Sequence, residues 1–66
     1  MLTEERTIPG TWYTITCTAP ATVTENIGDE PVTLATLDDN GLTHFRASGS
    51  RITISTEGTY RILPFA

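Results

Sequence analysis

Residues 50–65 read SRITISTEGTYRILPF, two alternating apolar/polar runs joined by Thr56-Glu57-Gly58. Successive strand side chains point to opposite faces, so alternation with period two marks a half-buried strand. A three-residue connection containing Gly is a common hairpin loop, with Gly at the left-handed position. The expected register sets Ser55 opposite Thr59, Ile54 opposite Tyr60 and Ile52 opposite Ile62. The bulky residues then share one side, and Arg51, Thr53 and Arg61 share the other. A slip of one residue would undo that sorting.

The rest of the chain has the same character. Thr occupies fourteen positions, and no stretch of a dozen residues carries apolar side chains at helical spacing. Runs rich in Thr, Val, Ile and Tyr suit a pleated surface. They predict strands near 12–18, 21–25, 31–37, 42–47, 50–55 and 59–63. The expectation is an all-β fold, a small antiparallel sandwich or partly open barrel of about five to six short strands built from hairpins. Residues 1–10 are expected to form a flexible N-terminal arm bounded by Pro9-Gly10, and residues 11–66 a single β domain.

A second hairpin is expected in residues 31–47, PVTLATLDDNGLTHFRA. Asn40-Gly41 alone favours a two-residue turn. A four-residue loop, Asp38 to Gly41, instead sets Leu34 opposite Phe45 and Val32 opposite Ala47. That option collects the apolar residues on one face. It prevails because exposing a Phe side chain forfeits about 1.5–3 kcal/mol of burial. Tyr13, Ile15, Cys17, Val23, Val32 and Leu34 enter the expected core, joined by Phe45, Ile52, Ile54, Tyr60 and Ile62.

Sixty-six residues make a thin core. A chain of that size buries only about 60% of the surface it exposes when unfolded. Small proteins therefore add disulfides, a metal or a partner subunit. Cys17 is the sole cysteine and His44 the sole histidine, so neither a disulfide within the chain nor a four-ligand zinc site is expected. No cofactor is expected either. Self-association is the device left open, as a homo-oligomer or within a larger protein assembly.

The formal net charge is −4, and the four basic residues are all Arg. Nucleic-acid affinity comes largely from neutralising phosphates, so this balance argues against that partner. No apolar run approaches the roughly 20 residues of a membrane helix. The opening MLTEERTIPG lacks the pattern of a signal peptide. The expected location is the cytoplasm of a host cell, or a virion.

Few residues invite chemistry. Arg51 and Arg61 are expected diagonally across one hairpin face, with Arg46 approaching from the neighbouring strand. Guanidinium groups bind carboxylate or phosphate in a forked geometry, although a solvated face is the commoner outcome. Asp38-Asp39-Asn40-Gly41 lacks the ligand spacing of a calcium loop and reads as a turn. His44 is placed on the outward side of its strand, and Cys17 on the apolar side, where a thiol is inert. No catalytic residue is assigned. Trp12 lies on the Thr-rich side of its strand, either covering a small second core against Leu37, Leu42 or Leu63 or anchoring a subunit interface. Phe65 belongs to an apolar carboxyl end, Leu63 to Ala66, and is a further contact candidate.

The layout of residues 32–66 resembles small Thr-rich β proteins of tailed bacteriophages and prophages. The likeness rests on Phe45 and Ala47, the Ile-Thr-Ile of 52–54, and a Gly turn into Tyr60-Arg61-Ile62. It implies a virion role, in capsid decoration or in association with the head or tail, without catalysis. The first functional expectation is thus a non-enzymatic structural or interaction module that self-associates. The alternative is a small β-barrel binding single-stranded nucleic acid or oligosaccharide.

Overall fold

The run that reads as a hairpin does not close as one. In a computed structural model, which describes residues 1–65, its two strands belong to different sheets. Seven strands form: β1 (Leu2–Arg6), β2 (Trp12–Cys17), β3 (Ala21–Ile27), β4 (Glu30–Leu37), β5 (Leu42–Arg46), β6 (Arg51–Thr56) and β7 (Tyr60–Pro64). A four-stranded antiparallel sheet has the order β1-β6-β3-β4, and a three-stranded one the order β5-β2-β7. The protein is all-β and sandwich-like, not a closed barrel. Ala66 lies outside the described residues.

Only β3 and β4 are joined as a hairpin, through a turn with Gly28 at φ 67°. The five other connections each carry the chain from one sheet to the other. Alternation fixes which side of a strand meets the core. It does not fix which strand shares its backbone hydrogen bonds. Ile52 and Ile54 enter the core from one sheet, and Tyr60 and Ile62 pack against it from the other. Both arrangements satisfy the same pattern.

The second expected hairpin opens in the same way. Its loop is as read, with Gly41 N–H donating to the Asp38 carbonyl at 3.0 Å and Asn40 left-handed at φ 51°. Yet β4 borders the larger sheet and β5 the smaller, so Leu34 has no ladder pairing with Phe45. Phe45 faces Tyr13 of β2 instead, the rings stacked at 5.7 Å.

Two crossings, Thr18 to Pro20 and Glu57 to Thr59, span the gap with three residues each. Packed sheets lie about 10 Å apart, close to the reach of so short a segment at about 3.3–3.6 Å per residue. The two crossings run side by side. Thr18 N–H donates to the Thr59 carbonyl and Thr59 N–H to Thr18 Oγ1, both at 2.9 Å. This contact corrects the expected role of Gly58, whose φ is not left-handed. A Cβ there would stand 2.4 Å from Thr18 Oγ1 and 2.9 Å from the Ala19 Cβ. Gly58 is required by close approach.

Ile15, Val23, Ile52 and Ile54 are fully buried between the sheets. Ala21, Leu37 and Ala47 join them, and Val32, expected inside, is 38% exposed. A bulge explains part of the difference. The β3–β4 register shifts between Val23 and Thr24, leaving Leu34 as the extra residue of β4. The bulge changes the phase of the alternation. Leu37 thereby turns inward, while Val32 pairs with Glu25 near the sheet's end.

The amino-terminal segment is likewise more than an arm. Leu2–Arg6 pairs with β6 along its whole length as an edge strand. Its inward positions are Thr3 and Glu5, polar because they meet the rim of the core and not its centre. Glu5 accepts a hydrogen bond from the Tyr60 hydroxyl, tying β1 of one sheet to β7 of the other. Glu25, buried on β3, plays a related part. It accepts from the backbone N–H groups of Ser48 and Gly49, and from the Ser48 hydroxyl, fastening the β5–β6 connection.

Two consequences can be measured. Gly58→Ala forces a methyl into the Thr18–Ala19 segment and should cost about 1–3 kcal/mol of stability, the usual range for overpacking. Denaturant unfolding checks it, and an unchanged midpoint would contradict the crowding. Burial, aided by Glu5 as acceptor and as neighbouring charge, pushes the Tyr60 phenol from 10.0 up to about 12. The folded state then holds the proton more tightly, so this stabilisation is complete below pH 10 and is lost towards pH 12. Tyr60→Phe should flatten the decline of stability across that window; identical slopes in the two proteins would contradict the assignment.

Candidate functional site

The outer face of the three-stranded sheet collects the side chains that the sequence left unexplained. Register places them in three rows across β7, β2 and β5. Leu63, Thr14 and His44 form the middle row, and Arg61, Thr16 and Leu42 the row beside it. At the other end Trp12 lies opposite Arg46, and Phe65 N–H donates to the Trp12 carbonyl at 2.8 Å.

The face is apolar and uncovered. Trp12, Leu42, Leu63 and Phe65 are 49%, 61%, 50% and 51% exposed. Thr14 at its centre shares a 2.9 Å hydrogen bond with His44 Nδ1. The His44 ring in turn lies 4.6 Å from that of Phe65, tilted by 34°. None of these nine positions is a carboxylate, so Arg46 and Arg61 give the face a positive charge.

The opposite surface of the sandwich contrasts with it. On the four-stranded sheet Thr24 faces Thr53 and Thr33, and Thr22 faces Ser55 and Thr36. Those cross-strand pairs present hydroxyls to water on β-branched frames that suit a strand. That outer surface is largely hydroxyls, with Leu2 exposed at its β1 edge.

Of the expected contact residues, Trp12, Arg46, Arg61 and Phe65 share this face, and Arg51 does not. Arg51 opens β6 in the other sheet, so the expected Arg51–Arg61 diagonal does not exist. Its Nη1 lies 3.7 Å from Glu4 Oε2 with both side chains exposed. Such a pair contributes about 0–1 kcal/mol. Trp12 covers no second core with Leu37, which is buried between the sheets.

Leu42 and Leu63, the other two expected neighbours of Trp12, do share its face but are exposed, so no second core forms there. Their outward phase was visible, but their shared neighbour β2 was not. Cys17 is buried with its thiol 3.4 Å from the Asp38 carbonyl oxygen. Among the described residues no three His, Cys, Asp or Glu side chains come together as a metal site. One surface hollow is lined by Thr16, Cys17, Thr18, Thr59, Tyr60 and Arg61, a set without a carboxylate or imidazole base. No helix among the described residues is long and apolar enough to cross a membrane.

Comparison with known proteins adds no relative. No family model, no curated protein and no solved structure matches the chain.

Proposed function

We propose that the protein is a non-enzymatic structural module that self-associates through the outer face of its three-stranded sheet. One observation carries the reading: four large apolar side chains stand exposed together on a surface without a carboxylate. A contiguous exposed apolar surface is a mark of protein contact, and Trp is enriched where contact energy concentrates. Fully covering one such side chain is worth about 1.5–3 kcal/mol, a large addition for a fold with so thin a core. The setting we propose is a phage or prophage virion, as a decoration or head- or tail-associated protein, on the resemblance of residues 32–66.

A second reading has its own observation. The Trp12, His44 and Phe65 rings beside two guanidinium groups are the parts of a stacking platform for single-stranded nucleic acid. A net charge of −4 opposes it.

Sedimentation separates the two. The mass should rise above the 7.2 kDa of one chain within the micromolar range. The double variant Trp12→Ala, Phe65→Ala should need at least about tenfold more protein to associate, equivalent to about 1.4 kcal/mol. Its circular dichroism should be unchanged, because both side chains lie outside the core. A wild-type chain that stays monomeric throughout overturns the proposal. If oligothymidylate then shifts Trp12 emission in a salt-dependent manner, the nucleic-acid reading takes its place.

A further inference from the structure

Self-association through this face leaves open what the face meets on the second copy, and the distribution of charge answers that. We infer that the contact is heterologous: the aromatic, arginine-bearing face of one copy docks on the acidic β4 edge of the next. The inference rests on the proposed self-association and specifies its geometry.

A two-fold contact of the face with itself sets four guanidinium groups on one interface without one carboxylate. Like charges brought together at an interface are strongly unfavourable. The counter-charge must come from elsewhere on the chain. Of its eight acids, Glu25 is buried on β3 against the β5–β6 connection, Glu5 is held by Tyr60, and Glu4 faces Arg51. Glu57 lies 4.0 Å from the amino terminus.

Asp29, Glu30, Asp38 and Asp39 are left, all exposed and none in an ion pair among the described residues. They flank the two ends of β4, one of the two edges of the four-stranded sheet. At the Asp29-Glu30 end, Ile27 closes β3 and Val32 stands near the start of β4, both exposed. That end of the edge therefore offers carboxylates beside exposed apolar side chains, the complement of guanidinium groups beside aromatic ones. The two surfaces also differ in position, so one copy can use both at once. Three strands at about 4.8 Å spacing make a face only about 14 Å wide. Using two surfaces per copy enlarges the buried area beyond what that face alone provides. A contact of this kind repeats head to tail, closing into a ring or extending as a filament.

Complementation tests it. One variant carries Arg46→Gln and Arg61→Gln; the other carries Asp29→Asn, Glu30→Gln, Asp38→Asn and Asp39→Asn. Circular dichroism confirms the fold of each, since these side chains lie outside the core. At concentrations where the wild type forms species beyond two chains, each variant alone should sediment as a monomer. Mixed in equal amounts, they should form a species of two chains and nothing larger, because only one intact face meets one intact edge. If the acid-neutralised variant associates as the wild type does, or the wild type stops at two chains, the head-to-tail contact is overturned while self-association stands. If the wild type never associates, both fail.

Discussion

Five of the six connections between strands pass from one sheet to the other, and this crossing governs the rest of the structure. Neither sheet can be completed without the other, because each draws its strands from distant parts of the chain. The central strand β2 pairs with β5 and β7, while β6 lies between β1 and β3. Ile15, Val23, Ile52 and Ile54 meet in the gap that these crossings span. Short loops leave little slack, which is why Thr18, Thr59 and Gly58 press together at one end. Such non-local pairing is slow to form and cooperative once formed.

The side of each strand that faces the core was legible in the sequence; the strand it pairs with was not. Tyr13, Ile15 and Cys17 face inward as alternation requires, and so do Ile52, Ile54, Tyr60 and Ile62. An inward Ile is satisfied equally by a hairpin partner or by a crossing to the facing sheet. Sequential strands are usually neighbours, and that prior misleads here at both β4–β5 and β6–β7. The bulge at Leu34 was hidden because neither flanking residue is a Gly. The β1 strand was hidden because an edge position asks only for Thr3 and Glu5 where a central one would need Val or Ile.

Those pairings decide what the candidate site contains. Had β7 joined β6 in the expected register, Arg61 would stand diagonal to Arg51. Because it joins β2, Arg61, Leu63 and Phe65 instead border Thr16, Thr14 and Trp12 and, across that strand, Leu42, His44 and Arg46. Individual members of the face were visible as outward-pointing side chains. Its continuity, and its lack of any carboxylate, emerge only from register. Glu25 and Tyr60 show the same economy inside the fold, each using one polar group to fasten a connection that apolar contacts do not reach.

The account turns on whether the bare face of the three-stranded sheet becomes covered by another molecule of the same chain. Trp12 is the sole tryptophan and stands on that face, so its fluorescence reports on nothing else. Acrylamide quenching across a dilution series is the direct measurement. The account predicts strong quenching in dilute protein and protection with blue-shifted emission at high concentration. Equal quenching at every concentration, even where the sedimenting mass increases, would show that association occurs elsewhere and would contradict it.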